Sequence, residues 1–217
     1  MITTVFFDLD GTLTDSRPGI LSGMAHALTA LGIPTRADAV PDDVIGPPLY
    51  DSFRGIYGLD DKTAREGVRL YREYYSAGGL FENEVYPGVP RMLETLAEQG
   101  FRLALATGKP HEYARRIVSH FGLDASLSAV FGAEFDGTRG DKAELLAYAA
   151  AALSVAPSDC VMVGDRRYDI EGALSVGATP IGVLFGYGDR EELASAGCRL
   201  YADSPADVAR ILLDLAK

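Results

Sequence analysis

No apolar run in this chain approaches the roughly 20 residues that a helix needs to cross a bilayer. The N-terminal Met1-Ile-Thr-Thr leads straight into a strand pattern, without the basic-then-apolar order of an export signal. Neither a membrane span nor a secretory leader is expected, and the reading is of a cytoplasmic protein. Cysteine is scarce: Cys160 and Cys198 are the only two, which excludes a disulfide framework and fits a reducing compartment. Blocks of Lys or Arg are missing as well. The 20 basic residues face 31 acidic ones, a formal charge of −11, so neither a nucleic acid polymer nor an anionic membrane is expected as a partner. Internal repeats and low-complexity segments are also absent. What the 217 residues do contain is 47% hydrophobic side chains, enough to bury a substantial core in one domain or in a domain with an insertion.

Short apolar runs followed by turn residues alternate with longer segments of helical period, the pattern of a parallel sheet with crossover helices. Strands are expected at Thr4 to Asp8, Arg102 to Ala106, Ala129 to Gly132, Cys160 to Val163 and Pro180 to Val183. Gly32, Gly100, Gly122 and Gly177 each close a helical pattern where a left-handed residue is wanted. Pro110 suits a first turn, and Asp141 with Glu144 has capping-box spacing. The fold class is therefore α/β, a doubly wound parallel sheet. From Ser16 to Tyr86 the alternation breaks. Ile20, Leu21, Met24, Leu28 and Leu31 share one helical face, and Ala64, Val68, Tyr71 and Tyr75 another, so this segment reads as an inserted helical domain. Both of its connections, "DSRPG" and "VYPGV", carry Pro and Gly, as hinges of a lid would.

The chemistry begins at Val5-Phe-Phe-Asp-Leu-Asp-Gly-Thr12. Side chains alternate along a strand, so Asp8 and Asp10 share a side, and two anions aimed at one spot require a cation or a shared proton between them. In an open parallel sheet ligands bind beyond the carboxyl ends of the strands. The second strand delivers Thr107-Gly-Lys-Pro-His111 there, a hydroxyl and free N–H groups at a helix start, which suits an anion. Lys142 stands on the first turn after Asp141, where the helix dipole disfavours a cation and supplies no local reason for it. The fourth strand ends in Gly164-Asp165-Arg-Arg-Tyr-Asp169. Carboxylates with a hydroxyl and a lysine form a hard-oxygen set that suits Mg²⁺ rather than zinc, and the chemistry suggested is phosphoryl transfer.

"DLDGT" at Asp8 to Thr12, "ATGK" at Ala106 to Lys109, Lys142, and "GDRRYD" at Gly164 to Asp169 occur in one order along the chain. In this the chain resembles the haloacid dehalogenase superfamily, in its branch of phosphatases with a helical C1-type cap after the first strand. The resemblance implies a Rossmann-like α/β core at 1–15 and 87–217 and an α-helical cap domain at 16–86. It implies Asp8 as the nucleophile that forms an aspartyl-phosphate, and Asp10 as the acid and then the base. Mg²⁺ would be held by Asp8, the backbone carbonyl of Asp10, and Asp165. Gly11, Thr107, Gly108 and Lys142 would meet the phosphate, and Asp169 would orient Lys142 or a metal water. Dehalogenases of the family lack an acid at the position of Asp10, because a halide leaves without a proton. Thr12 resembles the phosphatases more than the β-phosphoglucomutases.

The phrases "GPPLYDSF" from Gly46 and "YREYYSAGGLFENEVYPGV" from Tyr71 resemble the bacterial 5′-nucleotidase-like group, near phosphoglycolate phosphatases. Tyr50, Arg54 and Tyr75 are expected to reach the leaving group when the cap closes, while the cluster Tyr71, Tyr74, Tyr75 and Phe81 is expected to form cap core. Lys109 stands open between a second phosphate contact and a solvated residue. His26, His111 and His120 match no triad or metal spacing. The expected function is Mg²⁺-dependent hydrolysis of a small phosphate monoester, of nucleoside 5′-monophosphate or phosphoglycolate type, by a monomer or homodimer. The alternatives are a β-phosphoglucomutase-like isomerase and a non-catalytic phospholigand-binding protein.

Overall fold

The computed structural model describes residues 2–216. The chain forms two compact units, one built up to Thr14 and again from Val85 onward, the other from Asp15–Glu84. In chain order, β1 (Thr4–Phe7) is followed by β2 (Thr14–Asp15), α1 (Arg17–Ala30), α2 (Leu49–Gly55), α3 (Asp61–Ala77) and β3 (Glu84–Val85). Next come α4 (Val89–Glu98), β4 (Arg102–Pro110), α5 (His111–His120), β5 (Ala129–Ala133) and α6 (Lys142–Leu153). The chain ends with β6 (Cys160–Gly164), α7 (Arg167–Val176), β7 (Thr179–Val183), α8 (Arg190–Ser195), β8 (Tyr201–Ala202) and α9 (Pro205–Leu215).

In the larger unit six strands form a parallel sheet in the order β5-β4-β1-β6-β7-β8. The order reverses about β1, which places that strand at the centre with β4 and β6 on either side. Central strands of a parallel sheet are covered on both faces, and Val5, Phe6 and Phe7 are accordingly buried without alternation. Phe6 packs with Ala104, Ala106, Leu145, Leu146, Ala149, Met162 and Ala173 in one cluster. The small residues among these let α6 and α7 lie close to each other and to the sheet. Each large apolar side chain so buried contributes about 1.5–3 kcal/mol.

The sheet contains one strand more than the periodicity predicts. β8 has only two residues, too short for a period-two signal, and is defined by its pairing with β7. β4 runs beyond its expected end to Pro110, with an irregular register between Thr107 and Pro110. Pro110 is therefore the residue before α5 and not within its first turn. The expected helix stops hold: Gly32, Gly100, Gly122 and Gly177 all have positive φ. Asp141 caps α6 by accepting a hydrogen bond from the Glu144 N–H at 3.0 Å.

The smaller unit is built on α1, α2 and α3. Ile20, Leu21, Met24 and Leu28 form the buried stripe of α1, and Ala64, Tyr71 and Tyr75 that of α3, whereas Leu31 and Val68 are only half-buried. Tyr71 and Tyr75 stack at 5.2 Å between ring centroids. α3 starts at Asp60, whose carboxylate accepts from the Thr63 N–H at 2.9 Å. β2 and β3, which the helical reading of this segment omits, pair in a two-stranded sheet where the chain passes from one unit to the other.

Ser154 ends α6 in the left-handed region, with φ 55° and ψ 44°, and is exposed. A Cβ there costs about 1 kcal/mol, so Ser154→Gly is expected to raise the unfolding free energy by up to about 1 kcal/mol in a urea titration. A lowered midpoint would contradict this account of the cap.

Candidate active site

The parallel register sets Phe7 beside Leu105 on one side and Val163 on the other, so Asp8 and Asp165 leave the sheet from neighbouring strand ends, with Thr107 on β4 two residues past Leu105. The Asp8 N–H still donates to the Val163 carbonyl at 2.9 Å. The Asp8 carboxylate Oδ1 then accepts from the Leu9 N–H at 2.8 Å. Leu9 is fully buried, and the chain folds back over its carbonyl, which accepts from Leu13 at 2.9 Å and Thr14 at 3.0 Å. Gly11 sits in this tight loop at φ +79°.

Asp165 follows β6 and is wholly buried. Thr12 donates its hydroxyl to Asp165 Oδ1 at 3.2 Å, and the Tyr187 N–H donates to Oδ2 at 2.9 Å. A Cβ at Gly11 would overlap the Asp165 carboxyl and the Tyr187 ring, one at Gly186 would overlap the Gly11 carbonyl and Asp165, and one at Gly188 would overlap the Asp165 carbonyl. Gly11 and Gly186 thus close on the carboxylate, and Gly188 on the main-chain carbonyl of the same residue. Asp169, on the first turn of α7, accepts from the Arg166 N–H at 3.1 Å, and its carboxyl fills the space where a side chain at Gly164 would be.

Lys142 links the strand ends. Its stem packs over Gly172 of α7, and its ammonium lies 2.7 Å from Asp169 Oδ1 and 3.3 Å from Asp8 Oδ1 while donating to the Ala106 carbonyl at 3.0 Å. This supplies the reason for a cation on the first turn of α6 that the helix itself lacks. Ligand oxygens of Asp8, Asp165 and Asp169 all lie within 4.8 Å of one another.

The electrostatics follow from burial and crowding. Burial raises the Asp165 carboxyl well above the ordinary carboxylate range, and the charges of Asp169 and Asp8 raise it further against the Tyr187 N–H and Arg166. Burial also raises Asp169, to about 6, with Lys142 opposing and Asp8 adding to the rise. For Lys142 burial works downward, but the charges of Asp169 and Asp8 and its hydrogen bonds to them prevail and raise it. Two buried carboxyls whose charged forms are disfavoured, set beside Asp8 with one ammonium among them, form an acidic cluster that could hold a further cation.

Every core residue expected at the site belongs to the larger unit: Asp8, Asp10, Gly11, Thr107, Gly108, Lys142, Asp165 and Asp169. Thr107 is buried, and its hydroxyl oxygen accepts from the Lys109 N–H at 3.2 Å, while Gly108 is exposed. The three residues expected from the cap all belong to the helical unit. Tyr50 donates its hydroxyl to Asp61 at 2.9 Å, and Arg54 lies 2.8 Å from the Leu59 carbonyl and 3.3 Å from Asp61. Tyr75 is 2% exposed and stacks on Tyr71. The sequence reading missed the role of Thr12 as a donor to Asp165 and the whole Gly186-Tyr187-Gly188 segment. The signal for the latter was a tyrosine between two glycines, two residues beyond the fifth expected strand.

Residues 2–177 match the family model of haloacid dehalogenase-like hydrolases, and residues 141–215 match a second model of the same kind. The chain belongs to the haloacid dehalogenase-like hydrolases and is a phosphatase of that family. A 5′-nucleotidase of Pseudomonas aeruginosa is 41% identical over 208 residues, which cover 96% of this chain and 94% of that one. The tyrosine-protein kinase PtkA of Mycobacterium tuberculosis is 42% identical over 184 residues, 85% of this chain but only 62% of that protein's length. Among solved structures, a predicted phosphatase from Clostridium acetobutylicum superimposes with a TM-score of 0.93 at 37% identity, covering 99% of each chain.

Because Gly186 has no room for a Cβ, Gly186→Ala is expected to displace the Asp165 carboxylate. A misplacement of about 1 Å costs on the order of 10²-fold, so phosphatase kcat/KM should fall by about that factor while far-UV circular dichroism is unchanged. Undiminished activity would show that the close approach of this loop is not needed.

Proposed function

We propose that the protein is a Mg²⁺-dependent phosphomonoesterase that hydrolyses a small phosphorylated metabolite through a phosphoryl group carried on Asp8. The observation that carries this reading is the cluster of Asp8, Asp165 and Asp169 within 4.8 Å, with Lys142 paired to two of its members. The donors are carboxylate oxygens, a set that fits a hard divalent cation, and the buried Asp165 and Asp169 resist ionisation without one. Asp8, Asp165 and the backbone carbonyl of Asp10 are the residues assigned to hold Mg²⁺, with Asp169 beside them. When bound, the ion supplies charge neutralisation for phosphate oxygens and for the carboxylates.

In this reading a carboxylate oxygen of Asp8 attacks phosphorus, the ester P–O bond breaks, and Asp10 gives its proton to the departing alcohol oxygen. Asp10, now a carboxylate, removes a proton from water. The water oxygen attacks phosphorus, the bond to Asp8 breaks, and inorganic phosphate leaves. Lys142 stabilises negative charge on Asp8 and the transferred group, and Thr107 with the N–H of Gly108 and the backbone of the loop at Gly11 binds phosphate oxygens, the Gly11 N–H itself being donated to the Thr14 carbonyl at 2.8 Å. Similarity to a 5′-nucleotidase over nearly the whole chain supports a nucleoside 5′-monophosphate, with a phosphoglycolate-type ester held beside it. Substrate selection is assigned to Tyr50 and Arg54, whose polar groups lie at the surface of the helical unit; Tyr75 is assigned to packing. The partner is thus a small phosphate monoester, and no helix among the described residues is long and apolar enough to cross a membrane.

Phosphate release from a panel of nucleoside monophosphates, sugar phosphates and phosphoglycolate, measured with Mg²⁺ and after chelation, tests this. The wild type is expected to need the metal, and Asp8→Asn to lose on the order of 10³-fold or more. Equal release by Asp8→Asn would refute the nucleophile. A long-lived phosphoenzyme without phosphate release would identify an isomerase, and binding without turnover a phospholigand-binding protein. On the best substrate, Arg54→Ala is expected to raise KM severalfold; an unchanged KM and kcat would remove Arg54 from the site.

A further inference from the structure

Lys109 is neither solvated nor free to serve a phosphate alone. Its ammonium lies 2.9 Å from Asp10 Oδ2, and the two side chains are 6% and 22% exposed. Its backbone is held on three sides. The register of β4 against β5 breaks between Thr107 and Pro110, the Lys109 N–H donates to Thr107 Oγ1 at 3.2 Å, and a Cβ at Gly132 of β5 would overlap the Lys109 carbonyl. The bulge and the glycine notch together aim this lysine. The other oxygen of Asp10, Oδ1, is buried and has no hydrogen-bond partner among the described residues.

We propose that Lys109 is a positioning residue for the leaving-group step: it anchors Oδ2 of Asp10 and so assigns the transferable proton to Oδ1. The inference rests on the reading of Asp10 as the acid. An ammonium has three donors and no acceptor, so a protonated Asp10 cannot direct its O–H at Lys109, and the proton must sit on the oxygen that Lys109 does not hold. That oxygen is the unpartnered one. A carboxyl clamped at one oxygen also holds its acidic oxygen in one orientation, as general acid catalysis requires.

The test is a series of substituted phenyl phosphates of graded leaving-group pKa, with kcat/KM plotted against that pKa for wild type, Asp10→Asn, Lys109→Met, Lys109→Gln and Lys109→Arg. Under initial-rate conditions kcat/KM ends at departure of the leaving group, so hydrolysis of the phosphoenzyme does not enter. Wild type is expected to give a shallow slope, because its leaving groups depart protonated. Lys109→Met and Lys109→Gln are expected to steepen it, losing about 10²-fold on the poorest leaving group and less than about threefold on the best, in parallel with Asp10→Asn. Retained turnover of the best leaving group reports an intact fold, and Lys109→Arg, which keeps the charge, restores the shallow slope. If both neutral variants lower kcat/KM equally across the series while Asp10→Asn steepens it, Lys109 is a phosphate ligand and the proposal is overturned. If Asp10→Asn itself leaves the slope unchanged, the acid assignment fails first and the proposal with it.

Discussion

Three carboxylates brought within 4.8 Å of one another at the end of a parallel sheet, and a single buried ammonium set against two of them, constrain much of this molecule. Lys142 is in a location that would expel a lone charge, yet its pairing outweighs the cost of burial. Removing one member of such a group leaves the others uncompensated, which costs more than the group contributes when complete. The elements that carry the members are therefore bound to one another in a way their apolar packing alone does not demand. β1 brings Asp8, α7 brings Asp169, α6 brings Lys142, and β4 brings the Ala106 carbonyl that takes the remaining direction of the ammonium. The apolar cluster around Phe6 joins the same elements, a few residues before the site in the strands and a few after it in the helices, so core and site share one frame.

The glycines near Asp165 show how that frame becomes exact enough for chemistry. Hydrogen bonds from Thr12 and Tyr187 reach separate oxygens of the carboxylate, and these alone would leave its depth in the pocket undetermined. Backbone packed without Cβ atoms at Gly11, Gly186 and Gly188 supplies the missing restraint, because main chain cannot move aside as a flexible side chain can. Burial obtained in this way has an electrostatic consequence: the carboxyl is driven upward in pKa by burial and by Asp169 and Asp8, so its charged form is one that a cation would stabilise.

Much of this was legible in the sequence because the signals were local and had a period. Asp8 and Asp10 stand out at the end of an apolar run, the C′ glycines follow helical stripes, and Lys142 is conspicuous as a cation placed against its own helix dipole. What escaped is what depends on contacts between distant segments. β8 exists only through its pairing with β7, and Tyr187 reaches Asp165 across 22 positions of chain. Tyr75 carries two expectations, core of the helical segment and contact to the leaving group, and its burial with stacking on Tyr71 agrees with the first. Lys109 was ambiguous for the same reason. Nothing in Thr-Gly-Lys-Pro announces the break in register at this strand end, or that the Lys109 ammonium pairs with Asp10.

Asp8 and Asp10 come from one short segment and differ in residue type not at all, so any difference in their chemistry must come from what surrounds them. The structure gives each its own lysine from a different element, and the two pairings are unlike. Lys142 is shared between Asp8 and Asp169 and is anchored to a carbonyl, so it serves as a fixed positive charge beside the proposed nucleophile. Lys109 takes one oxygen of Asp10 and leaves the other buried without a partner. A carboxylate braced by shared cationic charge is suited to carry negative charge toward phosphorus, and one clamped at a single oxygen is suited to present a proton from the other. Two identical side chains are separated into two roles by environment, the means by which paired carboxylates divide nucleophilic and acid–base work. The division is made by where two lysines enter the site, one on the first turn of α6 and one on the bulge of β4.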